Sequence, residues 1–282
     1  MSPRLSRRTV LKQSRNLLVA LPFGAAFLAE RMSQTSNKAL AASQAYTWNS
    51  VVTGGGGGFI VNIVFNQKQK DLIYACTDIG GAYRWNASTS TWTQLLNWVT
   101  PANWNMTGVE SLATDPVDPT RLYIAAGTYT NSWTSQNGVI LRSTDQGNTF
   151  QQTAMSFKMG GNMPGRGMSE CLAVDPNNNA ILYFGARSGN GLWKSADYGV
   201  TWSKVTAFPD TGPFSENPSD SSGYQSDPVG IVWVTFDPAT GTSGSATKTI
   251  YVGVADNRSG ASNIYSSTDA GVTWAAIPGQ PV

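Results

Sequence analysis

The segment Ser195-Ala-Asp-Tyr-Gly-Val-Thr-Trp202 decides the fold, because it is one of three copies of the same pattern. The pattern is Ser-x-Asp-x-Gly-x-Thr followed by Trp or Phe, and the other copies are Ser143 to Phe150 and Ser267 to Trp274. In such an Asp box the aspartate can cap backbone N–H groups of a turn, the glycine supplies a positive φ, and the aromatic residue can pack between sheets. We therefore expect the aspartates of all three boxes to be structural rather than catalytic.

Each Asp box closes a repeated unit. The unit begins with an apolar strand that ends in Asp-Pro, and a second strand built around a tyrosine follows it. The Asp-Pro strands are Leu112 to Pro116, Leu172 to Pro176 and Val234 to Pro238. A degenerate first unit, from Ile63 to Trp92, lacks the Asp and Gly of the box. Four units with a period of about 50–60 residues are typical of four-stranded propeller blades, so we predict an all-β fold, a β-propeller with Asp-box repeats.

The repeat also predicts which loops share a face of the propeller. If the strands of a blade are named A to D from the axis outwards, Asp-Pro turns join A to B and Asp boxes join C to D. Because each strand crosses the blade once, the B–C loops and the D–A loops must lie together on the opposite face, here called the loop face. Long loops on one face usually carry function, and those that map to the loop face are residues 97–107, 128–138, 159–168 and 210–228.

One carboxylate stands out on the loop face. Residues 74–85 read Tyr-Ala-Cys-Thr-Asp-Ile-Gly-Gly-Ala-Tyr-Arg-Trp, in which two short apolar runs flank Asp78 and a Gly pair, as in a β-hairpin. One interpretation is a turn aspartate that caps its own backbone, which is a common role of Asp in turns. The equivalent position in the later units holds Gly127, Arg187 and Ala255. A position that varies this much is not held by the fold, which favours a functional role for Asp78.

The string from Thr77 to Trp85 resembles the catalytic-base motif of glycoside hydrolase family 74, the endo-xyloglucanases and related xyloglucan-active enzymes. Cys76, beside the motif, departs from the polar or basic residue expected there. The resemblance extends from about Tyr46 to the end of the chain. Further segments that are similar to the family are residues 46–48, 54–58, 108–112 and 185–193.

The resemblance implies two stacked seven-bladed propellers with a cleft between them, of which this chain would supply about four blades of the N-terminal propeller. It also implies an inverting mechanism with two aspartates, in which Asp78 is the general base. The partner acid would lie in the missing C-terminal propeller, so this fragment alone is expected to be inactive. The substrate would be a polysaccharide, xyloglucan or a related β-glucan, cleaved in its β-1,4-glucan backbone.

Aromatic side chains are concentrated in the long loops, and their faces suit the apolar C–H surfaces of sugar rings. We expect Trp104, Tyr129 and Trp133 to bind substrate, together with Arg187 of the segment 185–193. The alternative for each aromatic residue is a wedge between two blades.

The composition excludes several kinds of site. The 282 residues contain no histidine, which removes Ser-His-Asp chemistry, Cys-His chemistry and His-ligated zinc. Two cysteines, Cys76 and Cys171, are too few for a Cys-rich metal site and are expected to be buried small hydrophobes, with a disulfide between them left open. We expect no cofactor and no metal.

The charge distribution separates the N-terminus from the rest of the chain. Residues 1–41 hold seven basic side chains against Glu30 alone, which leaves 12 basic and 16 acidic side chains, a net charge of −4, in the remainder. A mildly acidic body argues against nucleic acid as a partner.

The N-terminus has the features of an export signal. Ser6-Arg7-Arg8 begins a twin-arginine export pattern, and the apolar run 17–29 has the length of the hydrophobic region of a signal peptide. We predict a signal peptide at 1–41, a partial propeller domain at 42–282 and a secreted or periplasmic protein with no membrane association after signal removal; an uncleaved anchor is the alternative.

Two other functions remain open. A non-catalytic Asp-box propeller that binds a protein or glycan partner would have the same repeats, since a fold does not fix a function. A sialidase also has Asp boxes, but it needs an arginine cluster and a tyrosine nucleophile that the chain does not recognisably contain. The string around Asp78 favours the hydrolase over both.

Overall fold

A computed structural model describes residues 57–280, so the predicted signal peptide at 1–41 lies outside the described residues. Residues 57–280 fold into four four-stranded antiparallel sheets, blades 1 to 4, and in each the strand order follows the chain. Blade 1 contains β1 (Ile60–Phe65), β2 (Ile73–Thr77), β3 (Ala82–Asn86) and β4 (Thr91–Gln94); blade 2 contains β5 (Val109–Thr114), β6 (Leu122–Ala126), β7 (Val139–Ser143) and β8 (Gln151–Ala154); blade 3 contains β9 (Leu172–Val174), β10 (Leu182–Ala186), β11 (Gly191–Ser195) and β12 (Ser203–Lys204); blade 4 contains β13 (Ile231–Phe236), β14 (Ile250–Val254), β15 (Ile264–Ser267) and β16 (Ala275–Ala276).

The hydrophobic core consists of three layers, each between two consecutive blades. Strands β6 and β10 are buried at every position, because blades 2 and 3 each have a neighbour on both faces. The first strands of consecutive blades also contact one another, β1 with β5, β5 with β9 and β9 with β13. The all-β propeller predicted from the repeats is therefore confirmed, with the first strands of the blades innermost.

The Asp-box turns have the hydrogen bonds expected of structural aspartates. Asp145 Oδ1 accepts the backbone N–H of Thr149 at 2.9 Å, and Oδ2 accepts the Thr149 hydroxyl at 2.6 Å. Ser143 Oγ accepts the N–H of Gly147, whose φ is +87°. The same bonds recur at Asp197 and Asp269. These carboxylates are engaged within their own turns.

The boxes also join neighbouring blades. Arg84 of blade 1 donates from Nη1 to the carbonyl of Gln146 in the box of blade 2 at 2.7 Å. In the same way, the hydroxyl of Tyr183 in blade 3 donates to the carbonyl of Ala270 in the box of blade 4. Both acceptor residues have a positive φ of 61° and occupy the same position of the box. A side-chain hydrogen bond from one blade thus connects that blade to the Asp-box turn of the next blade.

The strand order agrees with the predicted arrangement of loops. Asp78 follows β2 and precedes β3, whereas the Asp boxes join third strands to fourth strands, so antiparallel pairing places them at opposite ends of the strands. The helical pieces among residues 57–280 are two 3-10 turns, Pro101–Thr107 and Pro238–Thr240. No helix in this described part of the chain has the length and apolar character needed to cross a membrane. Cys76 and Cys171 are buried free thiols.

Candidate active site

The turn between β2 and β3 is capped by Thr77 rather than by Asp78. The Thr77 hydroxyl donates to the carbonyl of Gly81 at 2.9 Å and accepts the N–H of Gly80 at 2.8 Å. The Asp78 side chain takes no part in these bonds. The interpretation of Asp78 as a cap of its own turn is therefore wrong, because the neighbouring threonine already satisfies the turn.

The Asp78 carboxylate instead contacts two distant loops. Its side chain is buried, and the residue is only 5% exposed. Oδ1 accepts the backbone N–H of Phe59 at 2.8 Å, and Oδ2 faces Nε of Arg166 at 3.2 Å. Gly58, with a φ of +109°, approaches so closely that an added Cβ would lie 2.6 Å from Asp78 Oδ1. The end of the glycine run thus passes against the carboxylate, where a residue with a side chain would not fit.

Arg166 links Asp78 to a tyrosine from a third loop. Its Nη1 donates to the hydroxyl of Tyr224 at 3.2 Å while its Nε pairs with Asp78. Arg166 belongs to the loop before β9, and Tyr224 belongs to the loop before β13. Loops that enter blades 1 and 3 therefore contact the carboxylate directly, and the loop that enters blade 4 is joined to it through Arg166.

A row of aromatic side chains leads away from this point along the loop face. Tyr224 stacks on Trp133 with ring centroids 5.4 Å apart and an interplanar angle of 20°. Trp133 meets Tyr129 edge to face at 4.9 Å, and Tyr129 meets Trp104 at 6.2 Å. Trp104 is 40% exposed and Trp133 is 52% exposed, whereas a wedge between blades would be buried. We call these four residues the aromatic row.

The comparisons with known proteins point to one family. A xyloglucanase of Paenibacillus sp. is 61% identical over 241 residues, which are 86% of this chain and 23% of that protein. A xyloglucanase of Acetivibrio thermocellus is 60% identical over 84% of this chain and 27% of its own length. The crystal structure of the GH74 xyloglucanase from Xanthomonas campestris superimposes with a TM-score of 0.74 at 42% identity, over 84% of this chain and 32% of that chain.

The chain belongs to glycoside hydrolase family 74. It spans about a quarter of the length of the curated relatives that it matches. An oligoxyloglucan-reducing end-specific xyloglucanase of Emericella nidulans is also similar, at 40% identity over 85% of this chain and 26% of that protein. No family model matches the chain.

Within this family 74 chain, Arg187 occupies a different setting from the one expected for a substrate contact. It is only 4% exposed. Nη1 and Nη2 donate to the carbonyls of Gly160 and Pro164, and Nε pairs with Asp227 at 3.1 Å. Its donors are thus used inside the protein, where they anchor the loop that carries Arg166. This placement favours a positioning role over the direct contact with substrate that the sequence suggested.

Two carboxylates near the innermost strands were not anticipated from the sequence. Glu110 accepts the N–H of Gly160 at 2.7 Å, and Glu170 accepts the N–H of Leu112 at 2.6 Å and the hydroxyl of Ser111. Burial raises the pKa of Glu110, although the nearby Arg187 opposes this, and burial likewise raises the pKa of Glu170. Both carboxylates accept bonds from the backbone of neighbouring segments, so their contacts are structural.

Sequence reasoning also missed the partners of Asp78. Its direct partners Arg166 and Phe59 lie in loops without periodicity, as does Tyr224, which bonds to Arg166, and no local pattern assigns any of them to this site. A signal did exist for Tyr224 and Arg166, because both map to the long loops of the loop face. The repeat pattern does not indicate which residues of these loops contact one another.

Proposed function

We propose that this chain supplies the general-base half of an inverting glycoside hydrolase that cleaves the β-1,4-glucan backbone of xyloglucan. The observation that carries the proposal is the 61% identity to a xyloglucanase over 86% of the chain, with the family motif intact around Asp78. The placement of Asp78 on the loop face, away from the cap of its own turn, supports the same role.

The contacts of Asp78 are compatible with proton abstraction from water. An ionised carboxylate has about four lone-pair sites, and the contacts with Phe59 and Arg166 occupy one on each oxygen. A site on each oxygen therefore remains to accept a proton. The same two contacts fix the plane of the carboxylate, so a water molecule can be held at a constant angle to the base. Arg166 and Phe59 then act as positioning residues.

In an inverting reaction the second carboxyl group protonates the leaving oxygen and lies roughly 6.5–9.5 Å from the base, which leaves room for the attacking water. We propose that this acid belongs to a C-terminal propeller, since the chain spans only about a quarter of its curated relatives. The full-length enzyme would then contain a seven-bladed N-terminal propeller, begun by residues 42–282, and a second propeller that closes the cleft. No metal or cofactor enters this scheme.

The aromatic row supplies the binding surface for the polysaccharide. Trp104, Tyr129 and Trp133 present large amphipathic rings on the loop face, and such rings pack against the C–H faces of neutral sugars. A neutral substrate needs no steering charge, which fits the mildly acidic body of the chain. Export by the twin-arginine route would bring the enzyme to extracellular or periplasmic polysaccharide.

The proposal is tested by comparing the 282-residue chain with the full-length enzyme on xyloglucan, unsubstituted β-1,4-glucan and β-mannan. Release of reducing ends measures hydrolysis, and NMR of the newly formed anomer measures inversion. We expect hydrolysis of xyloglucan with inversion by the full-length enzyme and none by the 282-residue chain, because the leaving group then has no acid.

Two results would contradict the scheme. Retention of the anomeric configuration would exclude the inverting mechanism, in which Asp78 activates the water that attacks the sugar directly. Cleavage by the 282-residue chain would place the acid within these residues and would contradict the assignment of roles. A full-length protein that binds a protein or glycan without any hydrolysis would instead support the non-catalytic propeller.

A further inference from the structure

The junction between blades 2 and 3 departs from the pattern of the other two junctions. A tyrosine on the second strand is paired with a cation on the third strand in each of the first three blades, and the pairs are Tyr74 with Arg84, Tyr123 with Arg142 and Tyr183 with Lys194. In blades 1 and 3 the pair donates to the box residue of positive φ in the next blade. In blade 2, Arg142 donates from Nε to Thr153 Oγ1 at 3.0 Å instead. Among the described residues, neither member of this pair donates to the corresponding carbonyl, that of Tyr198.

A cavity of about 60 Å³ lies at this junction, beside the Asp-box turns. Its walls include Arg121, Tyr123 and Arg142 of blade 2 and Tyr198 from the box of blade 3. The two walls are in contact, because the guanidinium of Arg121 lies 4.1 Å over the ring of Tyr198. The volume exceeds the roughly 10–15 Å³ that one water molecule needs, but it is far below the about 300 Å³ of a small-molecule site. The cavity therefore suits a small ion or a few water molecules rather than a sugar.

The hydroxyl of Tyr123 is a buried donor at the wall of this cavity. Tyr123 is only 1% exposed, and its hydroxyl has no hydrogen-bond partner within residues 57–280. Burial raises the pKa of Tyr123 to about 12, although the nearby Arg121 opposes this, so the hydroxyl keeps its proton at neutral pH. A buried donor without an acceptor destabilises a protein. A ligand that accepts a hydrogen bond from Tyr123 would therefore stabilise the junction.

The charges at the walls select the chemical class of that ligand. Arg121 faces Asp118 at 3.3 Å, whereas Arg142 has no ion-pair partner among residues 57–280. Asp115 is another carboxylate near Tyr123, but it accepts backbone N–H groups of its own turn and does not line the cavity. One positive charge at the walls thus remains uncompensated, and a guanidinium can only donate hydrogen bonds. A ligand that only accepts hydrogen bonds and carries one negative charge satisfies both conditions, which water does not.

We propose that the cavity between blades 2 and 3 binds a small monovalent anion of the size of chloride. The Tyr123 hydroxyl donates to the anion, and the Arg142 guanidinium supplies the compensating charge. At this junction the anion takes the place of the carbonyl that accepts from the tyrosine–cation pair in blades 1 and 3. The site lies beside the Asp-box turns, at the opposite end of the strands from Asp78, so the inference is independent of the proposed catalytic function.

The test follows the thermal unfolding of the full-length enzyme as chloride replaces gluconate, an anion too large for the cavity, at constant ionic strength. A ligand that binds only the folded state should raise the unfolding midpoint by about 2–4 °C once its concentration is about tenfold above its Kd. We expect this rise in the wild type and its loss in Arg142→Gln, which removes the charge. Tyr123→Phe removes only the hydroxyl and should weaken chloride affinity about tenfold, the scale of one hydrogen bond to a charged group.

The matched control is Tyr74→Phe. Tyr74 occupies the equivalent position in blade 1, and its buried hydroxyl also has no partner among the described residues. Its paired cation is engaged, however, because Arg84 donates to the carbonyl of Gln146 at 2.7 Å and to the Asn148 side chain at 3.1 Å. Tyr74→Phe should therefore leave chloride affinity within about twofold of the wild type, since it does not touch the cavity.

Bromide soaked into crystals of the wild-type enzyme locates the site through its anomalous scattering. We expect a peak within hydrogen-bond distance of the Tyr123 hydroxyl and the Arg142 guanidinium. No peak at this position, or equal midpoints in chloride and gluconate, would mean that the cavity holds only water and would overturn the proposal. An equal chloride response in the wild type and both blade 2 variants would do the same, as would an equal loss in Tyr74→Phe. If Arg142→Gln does not fold, Tyr123→Phe and the bromide peak decide the question.

Discussion

Replacing Asp78 by asparagine in the full-length enzyme separates its chemical role from its structural role. The asparagine side chain would keep an oxygen that can accept the N–H of Phe59, but its amide nitrogen cannot accept from Arg166. The variant thus loses the proposed base and one ion pair while the shape of the side chain is retained.

The expected losses differ greatly in size. A positioned general base contributes about 10²–10⁴-fold, so kcat should fall at least about a hundredfold, or about 2.7 kcal/mol. The Arg166 side chain is about one-third exposed, and such ion pairs contribute about 0–1 kcal/mol, so the free energy of unfolding should fall by no more than about 1 kcal/mol. Substrate affinity should change less than about tenfold, because a neutral sugar loses no ion pair.

The matched control is Asp256→Asn. Asp256 is also a buried aspartate paired with an arginine, since its Oδ2 lies 2.6 Å from Nη2 of Arg258. It lies in the loop between β14 and β15, on the same face as Asp78. This variant loses a comparable pair without touching the aromatic row, so it should retain kcat within about threefold of the wild type.

The opposite pattern is expected for Thr77→Val, which removes the cap of the turn beside Asp78. Losing a side-chain cap costs about 0.5–2 kcal/mol of stability, and kcat should fall less than about tenfold because the proposed base, Asp78, remains. Initial rates of reducing-end release and urea denaturation of the same samples measure both quantities. Near-normal kcat in Asp78→Asn, or an equal loss of kcat in Asp256→Asn, would refute the assignment of the base.

Three further predictions follow from other parts of the chain. Trp104→Ala and Trp133→Ala in the full-length enzyme should each weaken xyloglucan affinity by roughly 1–3 kcal/mol, the scale of losing a large aromatic contact; unchanged affinity in both titrations would mean that the row does not bind substrate. Replacing Arg7-Arg8 by Lys-Lys, outside the described residues, should keep the protein in the cytoplasm on cell fractionation, and unaltered secretion would point to another export route. Hydrogen bonds from the Thr273 hydroxyl and N–H lower the pKa of Asp269 to about 2, below the unfolded value of about 3.9, so this carboxylate stabilises the fold above about pH 4 and the contribution is lost as the pH falls toward 2. Thermal unfolding midpoints should therefore decline over that interval, less steeply in Asp269→Asn, and equal slopes in the two proteins would contradict the prediction.

The repeat was readable from the sequence because every part of it is local. An Asp box needs only eight consecutive residues to form its turn, as the bonds of Asp145 to Thr149 illustrate. Alternating apolar runs and Asp-Pro turns then set the number of strands, and antiparallel order sets the face on which each loop lies. Asp78 could be singled out in the same way, since its slot in the repeat holds unrelated residues in the other blades.

The setting of Asp78 was decided only by the tertiary structure. Its partners Phe59 and Arg166 come from loops that enter different blades, and loops carry no period from which a contact could be inferred. Arg187 shows that the sequence can also suggest a contact that the packing does not favour. Its sequence context suggested a substrate contact, but the Gly160 loop packs against its guanidinium group and buries it. Local patterns fix strands and turns through short-range hydrogen bonds, but which side chains meet on the loop face depends on how the blades pack against one another.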